Sequence, residues 1–140
     1  MVKRYLSQAY WPKQIKNKGL VTHQAVHFID FLPTLQEVAD ADYPKKLNGN
    51  VIIPSPGKSF LSEIIGDAST ERNDPIFWQW QHGKAVRDGN WKLVAYKGEW
   101  ELYNLKNDPV EEKNLVQEEP EKAEDLKKLY AEWAKQFRTD

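Results

Sequence analysis

The chain has 140 residues, of which 40% are hydrophobic and 29% charged, a composition typical of a folded protein. It contains no cysteine, which excludes disulfides, thiolate nucleophiles and cysteine-ligated metal centres. A net charge of −1 and the lack of a long apolar run lead us to expect no nucleic acid and no membrane as partners. Met1–Arg4 is followed by no apolar stretch, so we predict no signal peptide.

Residues 1–41 begin with a basic segment and contain one predicted helix. Five cations precede the first acid, either as an anion-binding arm or, as we favour, as a solvated segment: Lys3, Arg4, Lys13, Lys16 and Lys18. Asp30 is suited to cap a helix that runs to Ala39. Four apolar side chains share a face of this helix: Phe31, Leu32, Leu35 and Val38. His23, His27 and Asp30 have a spacing compatible with metal ligands, but we favour a structural role for both histidines.

Residues 42–74 are predicted to be an irregular connection, because proline, glycine and serine are frequent. Only a short stretch near Phe60–Ile65 suggests regular structure. A connection of this length is unusual inside an independent domain and would be better suited to covering another surface.

Residues 75–140 have the clearest pattern. Four strands are predicted, with an Asp-Gly turn after the second: Ile76–Gln81, Lys84–Arg87, Trp91–Tyr96 and Trp100–Leu105. Asp108 and Pro109 predict the start of a short helix that ends near Leu115. A last helix from about Pro120 carries an apolar stripe that we expect to pack on the sheet: Leu126, Leu129, Tyr130, Trp133 and Phe137. The predicted fold class is α+β, an antiparallel meander of about four strands with a long C-terminal helix packed on it, preceded by a helix and an irregular segment.

An aromatic strand carries the candidate binding residues. Trp78, Trp80 and His82 alternate along it, so they would share one face. They would form either a wall that stacks sugar or aryl groups or the inner face of the sheet; core packing is favoured for Trp78, and the alternatives are even for Trp80 and His82. Lys84 and Arg87 are possible partners for an anion, although such hairpin positions usually face solvent.

An ordered set of motifs then points to a family: Trp11–Ile15, Val26–Leu35, Leu47–Gly49, Phe77–Trp78, Ala85–Val94 and Glu101–Leu115. Together they closely resemble the C-terminal portion of the arylsulfatase-type sulfatases of the alkaline phosphatase superfamily, from about residue 10 to the end. The resemblance implies that residues 1–41 correspond to the end of the large catalytic domain, 42–74 to a connection and 75–140 to the small C-terminal subdomain.

The resemblance also implies which parts of the active site this chain lacks. The family's nucleophile is a formylglycine made from Cys or Ser in a Cys/Ser-x-Pro-x-Arg motif, and none of the serines here begins that pattern. Its calcium ligands and its sulfate-binding lysine lie upstream, so calcium and formylglycine are expected in the missing domain. We therefore expect a fragment that is not catalytic alone and whose partner is that N-terminal domain. The alternatives are a carbohydrate- or aryl-binding module and a self-associating scaffold.

One position carries a residue role from the family. Many relatives have an active-site histidine two residues after the tryptophan of the Phe-Trp pair; here Trp80 stands there, with His82 two residues further on. Lys84 lies where relatives often carry a basic residue at the same rim. The resemblance thus implies Trp80, His82 and Lys84 as candidate residues for binding a sulfated carbohydrate or an aryl sulfate. Bacterial relatives are often periplasmic or secreted.

Overall fold

A computed structural model describes residues 8–17, 19–66 and 72–137, which belong to two compact units divided between residues 71 and 72. The division of the chain into residues 1–41, 42–74 and 75–140 stays a prediction. Within the basic segment, Lys13 and Lys16 are exposed, whereas Lys3, Arg4 and Lys18 lie outside the described residues. No helix in the described part of the chain is long and apolar enough to cross a bilayer.

The N-terminal unit contains little regular structure. A 3₁₀ turn, Phe28–Asp30, leads into helix α1, Phe31–Val38. Two short antiparallel strands follow, β1 at Lys46–Leu47 and β2 at Asn50–Val51, and then a single helical turn, α2, at Leu61–Ile65. The predicted helix and the predicted irregular segment are therefore both present.

Asp30 precedes α1 as expected, but its carboxylate does not cap that helix. Asp30 is buried, and its two oxygens accept the backbone N–H groups of His27 at 2.7 Å and Lys58 at 2.9 Å. A Cβ on Gly57 would lie 2.0 Å from the carbonyl oxygen of Ile29, so only glycine fits there. Asp30 and Gly57 thus attach the 55–60 segment to the start of α1.

The C-terminal unit is a four-stranded antiparallel meander in the order β3-β4-β5-β6, which confirms the prediction. Its strands are β3 Ile76–Trp80, β4 Gly83–Asp88, β5 Trp91–Tyr96 and β6 Trp100–Asn104. Helix α3, Pro120–Lys135, begins at the predicted proline and packs on one face of this sheet.

The core lies between the sheet and α3. The side chains of Val86, Leu93 and Leu102 from three adjacent strands are fully buried against Leu126 of the helix. The rings of Phe77 and Trp133 stack with centroids 4.9 Å apart and an interplanar angle of 4°. The predicted helix stripe is thus confirmed over most of its length; only Phe137, past the helix end, is exposed.

The helix predicted from Asp108 is wrong, because the segment forms only turns. Glu111 has a φ of 63°, a left-handed conformation that interrupts a right-handed helix. Beyond it, the backbone N–H of Leu115 donates to the carbonyl of Leu102, and the Asn114 side chain accepts the N–H of Leu102. Hydrogen bonds to the edge of β6 therefore fix this segment, in place of the hydrogen bonds of a helix.

A buried ion pair lies on the sheet face away from α3. Nζ of Lys92 lies 2.5 Å from Oε1 of Glu111, and these side chains are only 4% and 15% exposed. Tyr103, paired with Lys92 across the sheet, donates its hydroxyl to Glu101 at 3.0 Å. Burial, then the hydrogen bond to Glu101, raises the pKa of Tyr103 to about 12. This face therefore combines the buried ion pair with buried apolar side chains, those of Ile76 and Ala85.

Candidate functional site

Two tight turns meet at one end of the C-terminal sheet, which we call the hairpin end. Trp80 pairs with Gly83, so Gln81 and His82 form a two-residue loop between β3 and β4. Gln81 has a φ of 46°, as tight hairpin loops often require. The β5–β6 turn starts at Lys97, whose backbone N–H donates to the carbonyl of His82 at 3.1 Å. This hydrogen bond holds the two turns side by side.

The structure separates the three candidate binding residues. The expectation that His82 shares a strand face with Trp80 is wrong, because β3 ends at Trp80 and His82 lies in the turn. Trp80 shares a face with Gly83 and Tyr96, since directly paired residues lie on the same side of a sheet. The same alternation places Lys84 on the opposite face, which α3 covers. Trp80 and Lys84 therefore lie on opposite faces of the sheet, and His82 lies in the turn between their strands.

Trp78 lies on the face away from α3, because its neighbour Phe77 stacks on the helix residue Trp133. It is half-buried there, so it contributes neither to the core under the helix nor to an exposed wall. Of the tryptophans on β3, only Trp80 is exposed, at 74% of its surface.

Cationic side chains converge at the hairpin end. A shallow groove there is lined by His82, Lys84, Lys97 and Gly98. Nζ of Lys84 lies 4.7 Å from the ring centroid of Trp100, and Nζ of Lys97 lies 5.4 Å from that of Tyr96. Both distances are within cation–π range, which orients an ammonium group without neutralising its charge. The groove is thus suited to an anionic group such as a sulfate or a carboxylate.

Tyr96 and Lys97 are the site residues that sequence reasoning missed. Tyr96 is 67% exposed although it ends a largely buried strand, and Lys97 begins the turn. Their positions beside Trp80 and His82 follow from the pairing of β4 with β5. A strand alignment of the predicted meander, anchored at the Asp-Gly turn, is the signal that could have found them.

A second candidate surface lies in the N-terminal unit. The side chains that were predicted to share a face of α1 do so, but all of them are exposed rather than buried. Three of them, together with two neighbouring apolar residues, border a shallow apolar groove, which we call the α1 apolar surface: Phe28, Phe31, Leu32, Leu35 and Ile53. Large exposed apolar patches of this kind mark interaction sites.

His27 makes structural contacts at the start of α1, and the structural role favoured from the sequence for both histidines stays a prediction for His23. Nδ1 of His27 accepts the backbone N–H of Ile29 at 3.3 Å, and both oxygens of Asp30 accept backbone N–H groups. Among the described residues, no three His, Cys, Asp or Glu side chains are grouped so that they could hold a metal ion. The side chains described here therefore do not fit a calcium ion, whose ligands the family resemblance places upstream of this chain.

The C-terminal unit is an α+β meander with one packed helix. The chain carries two candidate interaction surfaces, the cationic hairpin end and the α1 apolar surface. A family model described as "N-sulphoglucosamine sulphohydrolase, C-terminal" matches residues 5–138, nearly the whole chain. The chain belongs to this family of sulfatase C-terminal domains.

Known relatives agree with this assignment. The chain is 30% identical over 118 residues to an uncharacterised sulfatase of Schizosaccharomyces pombe, covering 79% of this chain and 21% of that protein. It is 32% identical over 127 residues to a sulfatase of Formosa agariphila, covering 79% and 22%. The chain thus spans less than a third of the length of these relatives.

Solved structures show the same fold. The crystal structure of Ps i-CgsB superposes with a TM-score of 0.62 at 20% identity, over 79% of this chain and 24% of that one. The structure of BT4656 in complex with its substrate, D-glucosamine-2-N,6-O-disulfate, superposes with a TM-score of 0.52 at 23% identity, over 76% and 23%.

Proposed function

We propose that this chain acts as the non-catalytic C-terminal part of a sulfatase, which docks on a catalytic domain and supplies part of the rim of the substrate site. The observation that carries the proposal is the family match over residues 5–138 in a chain that spans only 21–22% of the two relatives named above. Hydrolysis of a sulfate ester is then the activity of the whole protein.

The sequence of this chain lacks the family's motif for the catalytic nucleophile. The sequence has no cysteine, and no serine begins the Ser-x-Pro-x-Arg pattern from which the family forms its formylglycine. The proposal therefore assigns the nucleophile and the calcium ion to the catalytic domain, where the hydrate of formylglycine would supply an oxygen nucleophile and calcium would stabilise the charge of the sulfate group. This chain contributes binding and orientation.

The α1 apolar surface is the proposed contact surface for the rest of the catalytic domain, because the family resemblance assigns residues 1–41 to the end of that domain. Leu35 is 62% exposed and Ile53 is 87% exposed, so burying them against a partner would remove apolar area from water. Asp30 and Gly57 hold this surface in shape, because they attach the 55–60 segment to the start of α1. A rigid apolar surface loses little conformational entropy on binding.

The hairpin end is the proposed substrate rim. The matching family is named for N-sulphoglucosamine, and BT4656 binds a disulfated glucosamine, so a sulfated carbohydrate is the proposed ligand class. Lys84 and Lys97 would contact sulfate or carboxylate groups, and His82 would donate or accept a hydrogen bond beside them. Trp80 would contact the sugar from the sheet face that also carries Tyr96.

A chimera tests this function. The C-terminal segment that matches this chain in the Formosa agariphila sulfatase is replaced by residues 5–138 of this chain, and hydrolysis of 4-nitrophenyl sulfate is measured. We expect the chimera to be soluble and active, and the 140-residue chain alone to be inactive. A chimera carrying Leu35→Asp should lose assembly, because a charge would be buried in the docking surface.

The matched control is Val110→Asp, which changes an equally exposed apolar residue of the C-terminal unit. Chelator-sensitive hydrolysis by the isolated chain would overturn the proposal, and so would a chimera indifferent to Leu35→Asp. Self-association is a second candidate role that the same exposed surface favours, and it would appear as a stable dimer of the free chain.

A further inference from the structure

We propose that Trp80, Gly83 and Tyr96 form an aromatic platform for one pyranose ring of an anionic saccharide, with Lys97 contacting the sulfate or carboxylate group of that sugar. The inference deepens the proposed function and rests on it for the ligand class. It adds Gly83 to the residues of the hairpin end and gives Trp80, Tyr96 and Lys97 separate roles there.

The platform is one row across three strands. Trp80 pairs with Gly83, and Gly83 pairs with Tyr96, so the two aromatic side chains flank the glycine on the same face. Neighbouring strands are about 4.8 Å apart, so the backbones of Trp80 and Tyr96 lie about 9.6 Å apart, and their two rings flank the space above Gly83. A Cβ on Gly83 would lie 3.7 Å from Cδ2 of Tyr96, so the tyrosine ring lies beside bare backbone.

The backbone conformation does not require glycine at position 83. Gly89, in the next turn, has a φ of 55°, whereas the φ of Gly83 lies outside the left-handed region. A Cβ at position 83 would lie 3.3 Å from the carbonyl oxygen of Trp80, a tight contact that a small shift relieves. Glycine weakens a strand, and at such positions it often marks the close approach of a ligand or another backbone.

Exposure and charge indicate the occupant. Trp80 and Tyr96 are 74% and 67% exposed, so neither ring is needed for the core of the C-terminal unit. The apolar C–H face of a pyranose complements an exposed aromatic ring, whereas its hydroxyl groups stay in water. Nζ of Lys97 stands 5.4 Å from the Tyr96 centroid, and Glu99 is the acid of the same turn. Lys84 lies on the opposite sheet face. Glu101, on the platform's face, accepts the hydroxyl of Tyr103, so it is the ammonium group of Lys97 that favours an anionic sugar over a neutral one.

The test is an NMR titration of the ¹⁵N-labelled 140-residue chain. The probes are D-glucosamine-2-N,6-O-disulfate, unsulfated N-acetylglucosamine and inorganic sulfate, and Trp80→Phe assigns the indole N–H signal of Trp80. We expect saturable shifts of that signal and of the Tyr96 amide with the disulfated sugar. Trp80→Ala and Tyr96→Ala should each raise the Kd about tenfold through the lost ring contact.

Two further variants separate the roles. Lys97→Met should raise the Kd for the disulfated sugar and leave binding of N-acetylglucosamine unchanged, because it removes only the charge contact. Tyr10→Ala, which removes an exposed tyrosine of the N-terminal unit, should bind as the wild type does. Backbone amide spectra report whether each variant is folded, and if Tyr96→Ala does not fold, Tyr96→Leu replaces it.

The titration can overturn the platform. The platform is refuted if the Trp80 signal does not shift, or if the Kd is unchanged in both ring variants. Equal binding of inorganic sulfate would also refute it, because it would show a simple anion site. An active chimera with a chain that binds no sugar would refute the platform alone. An inactive chimera with a chain that binds sugar through these residues would refute the proposed docking role and leave the platform standing.

Discussion

At the scale of single residues, one feature is an ion pair whose burial carries a desolvation penalty. Lys92 and Glu111 form an ion pair on the sheet face away from α3. Glu111 adopts a left-handed conformation there, with a φ of 63°. Removing one partner of a buried pair leaves an uncompensated charge, whereas replacing both by apolar groups is much less costly. The pair therefore ties the 108–115 segment to the sheet.

We expect Glu111→Gln to lower the free energy of unfolding by about 3 kcal/mol, because the buried ion pair between Lys92 and Glu111 would be lost. The double variant Lys92→Met/Glu111→Leu should recover most of that loss. Urea unfolding followed by tryptophan fluorescence measures both. As a control, Lys113→Met breaks the exposed pair with Glu118 and should cost less than about 1 kcal/mol. Equal losses in Glu111→Gln and Lys113→Met would contradict this account.

At the scale of elements, the turn that begins at Asp108 replaces a predicted helix. The Asp108 carboxylate accepts the backbone N–H of Lys113 at 2.9 Å, so the aspartate organises a turn from the position expected of a helix cap. Hydrogen bonds from the backbone of Lys113 and then Glu112 lower the pKa of Asp108 below its ordinary value of 3.8. The carboxylate form is thus favoured by the folded state.

This shift predicts a pH dependence. Because the pKa is lower in the folded than in the unfolded state, Asp108 stabilises the fold above pH 3.8, and the contribution is lost as the pH falls through the lower folded value. We expect Asp108→Asn to flatten the decline of the urea midpoint below pH 3.8. Asp125→Asn controls for the loss of any one carboxylate. Identical acid slopes in the wild type and Asp108→Asn would refute the role of this turn.

At the scale of the whole molecule, the two units treat their apolar residues differently. The C-terminal unit buries Leu93, Leu102 and Leu126 almost completely between the sheet and α3. The N-terminal unit leaves Leu32 and Leu35 exposed on α1. A helix with an uncovered apolar face is typical of a surface that is buried in an assembly.

We therefore expect the free chain to self-associate in a concentration-dependent manner through the α1 apolar surface. Leu35→Asp should shift the mass measured by light scattering towards the monomer, because association would then bury a carboxylate. Val110→Asp, which changes a 69% exposed residue of the C-terminal unit, should not. A wild-type chain that is monomeric at all concentrations would show that the surface needs a different partner.

The sequence by itself determined the α+β class, the four strands, the start of α3 and membership of the sulfatases. These features depend on local signals: the alternation of apolar residues in Trp91–Tyr96, the Asp-Gly turn at Asp88 and the period of the final helix. The ordered motifs needed no contacts to be recognised.

Only the tertiary structure decided which side chains meet. The sequence placed Trp80, His82 and Lys84 in one group, but the hairpin turn puts Trp80 and Lys84 on opposite faces and brings Tyr96 beside Trp80 instead. The tertiary structure also shows that the apolar face of α1 is exposed and that the segment after Asp108 forms turns rather than a helix. Strand register and burial depend on contacts between residues distant in the chain, which local patterns do not contain. Periodicity predicts that a face exists, and only packing decides what lies against it.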